Sequence, residues 1–229
     1  MIHVAWGIIV ACGKSEQLDG GADIAFLSSG DSPVLAYSMN AFEQCAEIEG
    51  IVIVANKEKL EYVANLVRLY GCNKVRKIVP GTASRSTSIQ NALKVMDESV
   101  SLVSIHDVSR PCVRSELIGE TVRAAKRYGS GVAAIRVEDA IKEVEKGQTS
   151  EKSLEGGKLW AMQTPQTFKR DLIEKGLEAA TKGKILLGDE SEALHAMKQP
   201  VHLVVSEPSN VKIRNADDLV VVSALMKVM

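Results

Sequence analysis

The sequence predicts an α/β fold in which a mostly parallel sheet is flanked by helices, and three observations carry that prediction. Short β-rich runs alternate with longer helical patterns, the signature of βαβ units. Aromatics are only 4% of the chain while apolar residues reach 45%, so the buried mass is mostly Val, Ile, Leu and Ala. Those residues suit strands covered on both faces by helices. The 229 residues fit one large domain or two small ones, and the chain is read as one domain over residues 1–229.

Residues 3–12 are the first strand, ending at Gly13. The apolar run there is too short to span a bilayer and has no basic leader, so no membrane segment is expected. Ser32-Pro33 opens a helix, with Ser as cap and Pro in the first turn, and Leu35, Met39, Phe42 and Ala46 mark its apolar face. Residues 50–54 are a buried strand, followed by a helix whose apolar face carries Leu60, Val63, Val67 and Tyr70. A short strand over 75–79 leads through the Pro80-Gly81 turn into a helix over 86–96. A strand over 102–105 then ends at His106-Asp107, followed by a helix over 115–128 and a strand over 131–137. Residues 139–157 are polar and charged, with Gly147, Gly156 and Gly157, and read as a protruding hairpin arm or mobile loop. A helix, a strand and a last helix over 216–229 complete the chain.

The formal charge of -1 gives no bulk attraction to nucleic acid or to an anionic membrane, so neither is an expected partner. Cys12, Cys45, Cys72 and Cys112 have no metal-type spacing and read as reduced thiols of a cytoplasmic protein. His3 and His195 read as structural residues, and no Cys is paired with a His as a nucleophile requires.

Ligands of a doubly wound sheet sit outside the carboxyl ends of the strands, which selects the loops over 13–23, 80–87 and 106–111. The first loop, Ala11-Cys12-Gly13-Lys14-Ser15, is neither G-x-G-x-x-G nor a complete lysine phosphate loop. Gly13 admits a phosphate to backbone amides and Lys14 adds charge; alternatively Gly13 only supplies a positive φ in a plain turn. In His106-Asp107-Val108-Ser109-Arg110-Pro111, an Asp at a strand end can hold Mg²⁺ between phosphates, or simply cap the next turn and pair with Arg110. The polar run from Leu159 through Phe168 concentrates donors and acceptors beside Pro165, or is a loop fixed by Trp160 and Phe168.

Taken in order, Pro80-Gly81 with Arg85 and Ser88, the HDxxRP segment, LWxxQTPQxF, and Asn210-Val211-Lys212-Ile213 resemble the 2-C-methyl-D-erythritol 4-phosphate cytidylyltransferase family over nearly the whole chain. The resemblance implies a Rossmann-like nucleotidyltransferase fold with a β-arm, and transfer of a cytidylyl group from CTP to a polyol phosphate. It implies nucleotide binding by Ala11, Cys12, Gly13, Gly81, Arg85, Ser88 and Asp107, with Mg²⁺ on Asp107. The resemblance puts Lys212 at the reacting phosphates; Lys14, from the local reading of the loop, is expected beside it as a substitute cation, and Arg110, Thr164 and Gln166 are expected at the acceptor. The arm over 139–157 corresponds to the family's dimerisation arm, so a homodimer is expected.

The chain departs from the family in its first loop, which there reads Ala-Ala-Gly-x-Gly-x-Arg followed by a downstream lysine. Here the second glycine is Ser15, the arginine is Gln17 and the lysine position is Ile24. Each lost cation typically costs about 10²–10³ in rate. Glu16 and Asp19 add negative charge that repels triphosphate. On the acceptor side, Ala140 stands where the family has Thr, and the arm arginine falls near Gly156, with Lys158 as the nearest cation. An impaired relative that binds nucleotide or a protein partner, and a ribitol-phosphate-type cytidylyltransferase, are the alternative readings.

Overall fold

A computed structural model describes residues 3–144, 147–150 and 152–228. Positions 145, 146 and 151 of the expected arm, and position 229 of the expected last helix, lie outside the described residues.

In chain order the elements are β1 (Val4–Ala11), β2 (Ser28–Ser29), β3 (Ser32–Pro33), α1 (Val34–Gln44), β4 (Gly50–Ala55), α2 (Leu60–Leu69), β5 (Val75–Pro80), α3 (Arg85–Lys94), β6 (Val100–Asp107), α4 (Ser115–Tyr128) and β7 (Ser130–Arg136). They continue with β8 (Lys142–Glu143), β9 (Lys152–Ser153), β10 (Trp160–Lys169), α5 (Arg170–Gly183), α6 (Ser191–Ala196), β11 (Leu203–Val205) and α7 (Ala216–Met226). The main sheet has seven strands in the order β11-β7-β10-β6-β1-β4-β5. β1 lies parallel to β4 and β6, β4 to β5, and β7 to β11, while β10 runs antiparallel to both β6 and β7.

Alternation along the strands divides the core into two layers. Ile9, Ile51, Ile53 and Leu102 point to the face covered by α1, α2, α4 and α7, where they meet Met39, Phe42, Val63, Ile118 and Val222. Ile8, Val10, Val52, Val103 and Ile105 point to the other face, against Ile89 and Leu93 of α3 and Ile173 and Leu177 of α5. Strands buried on both faces read as continuous Val/Ile runs, which is why β1 and β4 were legible. Gly131 is needed at the β7–α4 contact: a Cβ there would lie 2.3 Å from the Thr121 carbonyl oxygen.

Several local expectations change. Ser32 and Pro33 pair with Ser28 and Ser29 as a short ladder, so Ser32 does not cap α1; Pro33 is the extended residue before its first turn. Past the end of α1, Cys45 and Ile48 are buried while Ala46 is exposed. On α2 Val63 and Leu66 are buried, Leu60 and Val67 pack partly buried against the same core, and Tyr70 lies beyond the helix end at 36% exposure. The polar run after Leu159 is strand β10 rather than a loop, because its side chains from Gln163 to Phe168 are buried against neighbouring elements. Its ladder to β7 slips between Met162 and Gln166, where Pro165 has no N–H to donate.

In the arm, β8 and β9 pair antiparallel, Lys142 opposite Ser153 and Glu143 opposite Lys152. All four cysteines are free and buried. Among the described residues, no helix is long and apolar enough to cross a membrane.

Candidate active site

The parallel strands β1 and β6 end side by side, with Val10 in register with Asp107. At that edge a cavity of about 180 Å³ is lined by Ser15, Arg85, Asp107, Arg110, Met162, Gln163, Thr164, Gln166, Gly188, Asp189 and Lys212. The topology thus gathers six of the expected residues (Arg85, Asp107, Arg110, Thr164, Gln166 and Lys212) around one space.

Asp107 is the electrostatic centre. One of its oxygens pairs with Arg85 Nη2 at 2.6 Å and the other with Lys212 Nζ at 2.7 Å. Burial would raise its pKa, but the Arg85 and Lys212 charges hold the carboxyl well below the usual range. The Arg85 guanidinium also forks onto Glu190, Nε to Oε1 at 2.7 Å and Nη2 to Oε2 at 3.0 Å. Burial alone would lower the Arg85 pKa; Asp107 and Glu190 more than reverse it. The α3 N-terminus that carries Arg85 is fixed by Ser84, whose Oγ accepts the Thr87 amide.

Glu16 is 1% exposed despite lying in the first loop. Its Oε2 accepts the Ser109 amide at 2.9 Å, and its Oε1 lies 3.3 Å from Lys212 Nζ. Burial, then the neighbouring Asp107 charge, raise its pKa from 4.5 to about 7 against the pull of Lys212. Arg110 is also buried. Nη1 donates to the Asn210 carbonyl at 2.8 Å, Nε has no hydrogen-bond partner, and among the described residues no carboxylate pairs with it. Burial lowers its pKa to about 10. Arg110 does not pair with Asp107 in the way its spacing allowed.

The floor is a neutral hydrogen-bond network. His106 is fully buried, and burial lowers its pKa to about 3. The Arg110 carbonyl can only accept, so Nε2 carries the proton, at 3.2 Å. Nδ1 is then the acceptor for the Thr164 hydroxyl at 3.1 Å, and Thr164 Oγ1 itself accepts the Asp107 amide at 3.0 Å. Gln166 donates to the Gln163 carbonyl and accepts the Ser191 amide. Asn210 Nδ2 donates to Gln163 Oε1 and to the Thr164 carbonyl. Thr164 and Gln166 therefore hold β10 in place while lining the cavity.

The first loop is placed differently from the rest. Gly13 has φ 95°, the positive value its glycine supplies, and residues 14–16 make a single tight turn. Ala11 and Cys12 are buried, and Gly81 packs so closely on Cys12 that a Cβ there would meet its Sγ at 2.1 Å. Ser88 is buried, its Oγ accepting the Thr82 amide at 2.8 Å. Lys14 is exposed and does not line the cavity. Gln17, at the arginine position, donates to Asp23, which also accepts from Asn56. Ile24, at the lysine position, is 0% exposed in the core. Neither position delivers a cation. On the arm, Lys158 pairs with Glu155.

Asp107 is the carboxylate that the resemblance gives to Mg²⁺. Both its oxygens are engaged by cations, and among the described residues no group of three or more His, Cys, Asp or Glu side chains is arranged to hold a metal. Mg²⁺ requires near-octahedral oxygen ligation, so the residues as folded do not build a resident metal centre. Sequence reading gave Glu190, at the position of a family pair, and Gln163, within the polar run, no individual role, and took Glu16 only as a repelling loop charge. The separations of Glu16 from Lys212 and of Arg85 from Glu190 left no local signal.

A family profile described as 2-C-methyl-D-erythritol 4-phosphate cytidylyltransferase matches residues 5–228. A protein of that name from Caldanaerobacter subterraneus subsp. tengcongensis is 34% identical over 221 residues, 96% of this chain and 97% of that protein. Another so named, from Dehalococcoides mccartyi, is 34% identical over 220 residues, covering 96% and 95%. The solved 4-diphosphocytidyl-2C-methyl-D-erythritol synthase from Anaerococcus prevotii superposes with TM-score 0.87 at 23% identity, over 98% of this chain and 96% of that one. The Francisella tularensis 2-C-methyl-D-erythritol 4-phosphate cytidylyltransferase gives 0.80 at 24%, over 97% and 99%.

Proposed function

We propose that this chain, which belongs to the 2-C-methyl-D-erythritol 4-phosphate cytidylyltransferase family, transfers CMP from CTP to a sugar-alcohol phosphate and releases pyrophosphate. The acceptor is 2-C-methyl-D-erythritol 4-phosphate. The observation that carries this reading is Arg110: a buried guanidinium that lines the cavity beside Lys212 and Arg85 and, among the described residues, has no carboxylate paired with it. Asp107 and Glu16 act on Arg110 only through space, so its unpartnered Nε–H keeps hydrogen-bonding capacity that a phosphate can use.

In the proposed reaction an oxygen of the acceptor phosphate attacks the α-phosphorus of CTP. The new P–O bond forms as the bond to the β-phosphate bridging oxygen breaks, and the electron pair leaves with pyrophosphate. No covalent protein nucleophile is needed; the chain contributes positioning and neutralisation of the spreading charge. Lys212 and Arg110 are the groups placed for it, and Asp107 with Glu190 fixes the direction of Arg85. Magnesium enters as the counter-ion of the triphosphate, as part of the substrate. The protein is further proposed to work as a cytoplasmic homodimer through the arm.

The test is pyrophosphate release from Mg·CTP and 2-C-methyl-D-erythritol 4-phosphate, at enzyme concentrations that detect a catalyst weakened roughly 10⁶-fold by two missing cations. Release that Arg110→Ala lowers by about 10²-fold or more supports the assignment. Silence from folded protein overturns it. Ribitol phosphate in place of the acceptor checks the related polyol class.

A second reading has its own observation. Gln17 is tied to Asp23 and Ile24 is core, so the first loop supplies no cation from the family positions, and Glu16 brings a carboxylate instead. This favours a relative that binds nucleotide with little turnover, and the same assay separates the two through CTP binding without release.

A further inference from the structure

We propose that Glu16 is an internal anion that competes with nucleotide phosphate for Lys212 and thereby sets how strongly the site takes a triphosphate. The inference deepens the nucleotide reading above and rests on it. Glu16 holds the Ser109 amide with one oxygen and faces Lys212 Nζ with the other. A main-chain amide at a strand end together with a lysine is the donor pair a phosphate oxygen uses. Here a side chain of the chain itself already sits on both.

The charges around it leave little surplus for a ligand. Lys212 is shared between Glu16 and Asp107, and Arg85 between Asp107 and Glu190. Arg110 and Cys12 also feel the Glu16 charge, from the turn after β6 and the end of β1. Arg85, Arg110 and Lys212 face Asp107, Glu16, Glu190 and the wall residue Asp189, a formal charge of -1. Without the Glu16 charge the same cluster is neutral, one negative charge fewer for a triphosphate to meet. A triphosphate brought to Ser15, the cavity wall next to Glu16 in the chain, meets an ionised carboxylate or must displace it from Ser109 and Lys212. Gln17 and Ile24 fail to supply charge; Glu16 goes further and consumes charge that Lys212 would otherwise offer.

The experiment is calorimetric titration of the parent and Glu16→Gln with inorganic triphosphate and with CTP, at fixed Mg²⁺ and pH 8. Gln keeps the length and the oxygen that accepts the Ser109 amide. The variant is expected to bind inorganic triphosphate at least roughly tenfold more tightly, the scale of removing one like charge a few ångström away in a partly buried site. Lys212→Gln is then expected to weaken that binding more in the Glu16→Gln background than in the parent, where the lysine is already occupied. Equal or weaker binding by Glu16→Gln, no binding by either protein, or an identical Lys212→Gln effect in both backgrounds overturns the inference. Tightening for inorganic triphosphate with no added affinity for CTP sustains the role of Glu16 and overturns the cytidylyl reading. Should Gln disturb the fold by circular dichroism, Glu16→Ala is titrated under the same criteria.

Discussion

Glu16→Gln also makes a prediction about stability, independent of any ligand. A carboxyl whose pKa rises from 4.5 to about 7 on folding is held in an environment that disfavours its charge. Below pH 4.5 it is protonated in both states and costs nothing. Between 4.5 and about 7 the unfolded chain releases the proton while the folded chain keeps it, so stability falls as pH rises. Above that window the full penalty stands, about 3 kcal/mol at 1.36 kcal/mol per pKa unit. Glutamine mimics the protonated acid in size and hydrogen bonding. The variant should therefore match the parent near pH 4.5 and exceed its stability by about 2–3 kcal/mol at pH 8. Asp107, held below the usual carboxylate range, gains its share of stability above its ordinary pKa and loses it only in more acid solution, so it cancels in this comparison. Urea unfolding of both proteins at pH 5 and pH 8 reads the difference directly. A variant that is less stable than the parent at pH 8, or a gap that is the same at both pH values, refutes the account of Glu16 as a penalised buried charge.

Two further outcomes follow from the same structure. Gly131→Ala places a methyl 2.3 Å from the Thr121 carbonyl oxygen and 2.7 Å from Ala124 Cβ, so α4 must shift off β7; thermal unfolding should show a loss of about 1–3 kcal/mol. His106, with burial lowering its pKa to about 3, should stay neutral from pH 8 to pH 5 in an NMR titration. Its depressed pKa makes stability fall as pH drops below 6.5, and an imidazole midpoint near that value would contradict a His106 kept neutral by burial.

The doubly wound architecture was legible because it rests on local patterning. Val/Ile runs such as those in β1 and β4 can be satisfied only with both faces covered, and the α4 span of Ser115–Tyr128 follows directly from its amphipathic period. β10 was harder, since it is buried on both faces and carries Gln163, Thr164, Gln166 and Thr167 there, with hydrogen-bond partners on other elements. Ser32 misled for a related reason: a capping residue type was claimed by a two-residue ladder instead of by α1.

At the site, the strand-end motif brought Asp107 and Arg110 forward, because ligands of such a sheet sit outside the carboxyl ends of its strands, while Arg85 and Lys212 came forward through the resemblance to the family. The sequence by itself also determined what is missing, since Gln17 and Ile24 cannot be cations wherever they lie. Only the tertiary structure decided which charges remain available. A loop glutamate is solvated by default, and Glu16 is buried because Ser109 and Lys212, distant in the chain, meet it at the end of β6. Ion pairs are settled by through-space distance rather than by spacing in sequence. For that reason the occupation of Lys212, the fork of Arg85 and the lack of a carboxylate on Arg110 among the described residues emerge only once the strands are assembled.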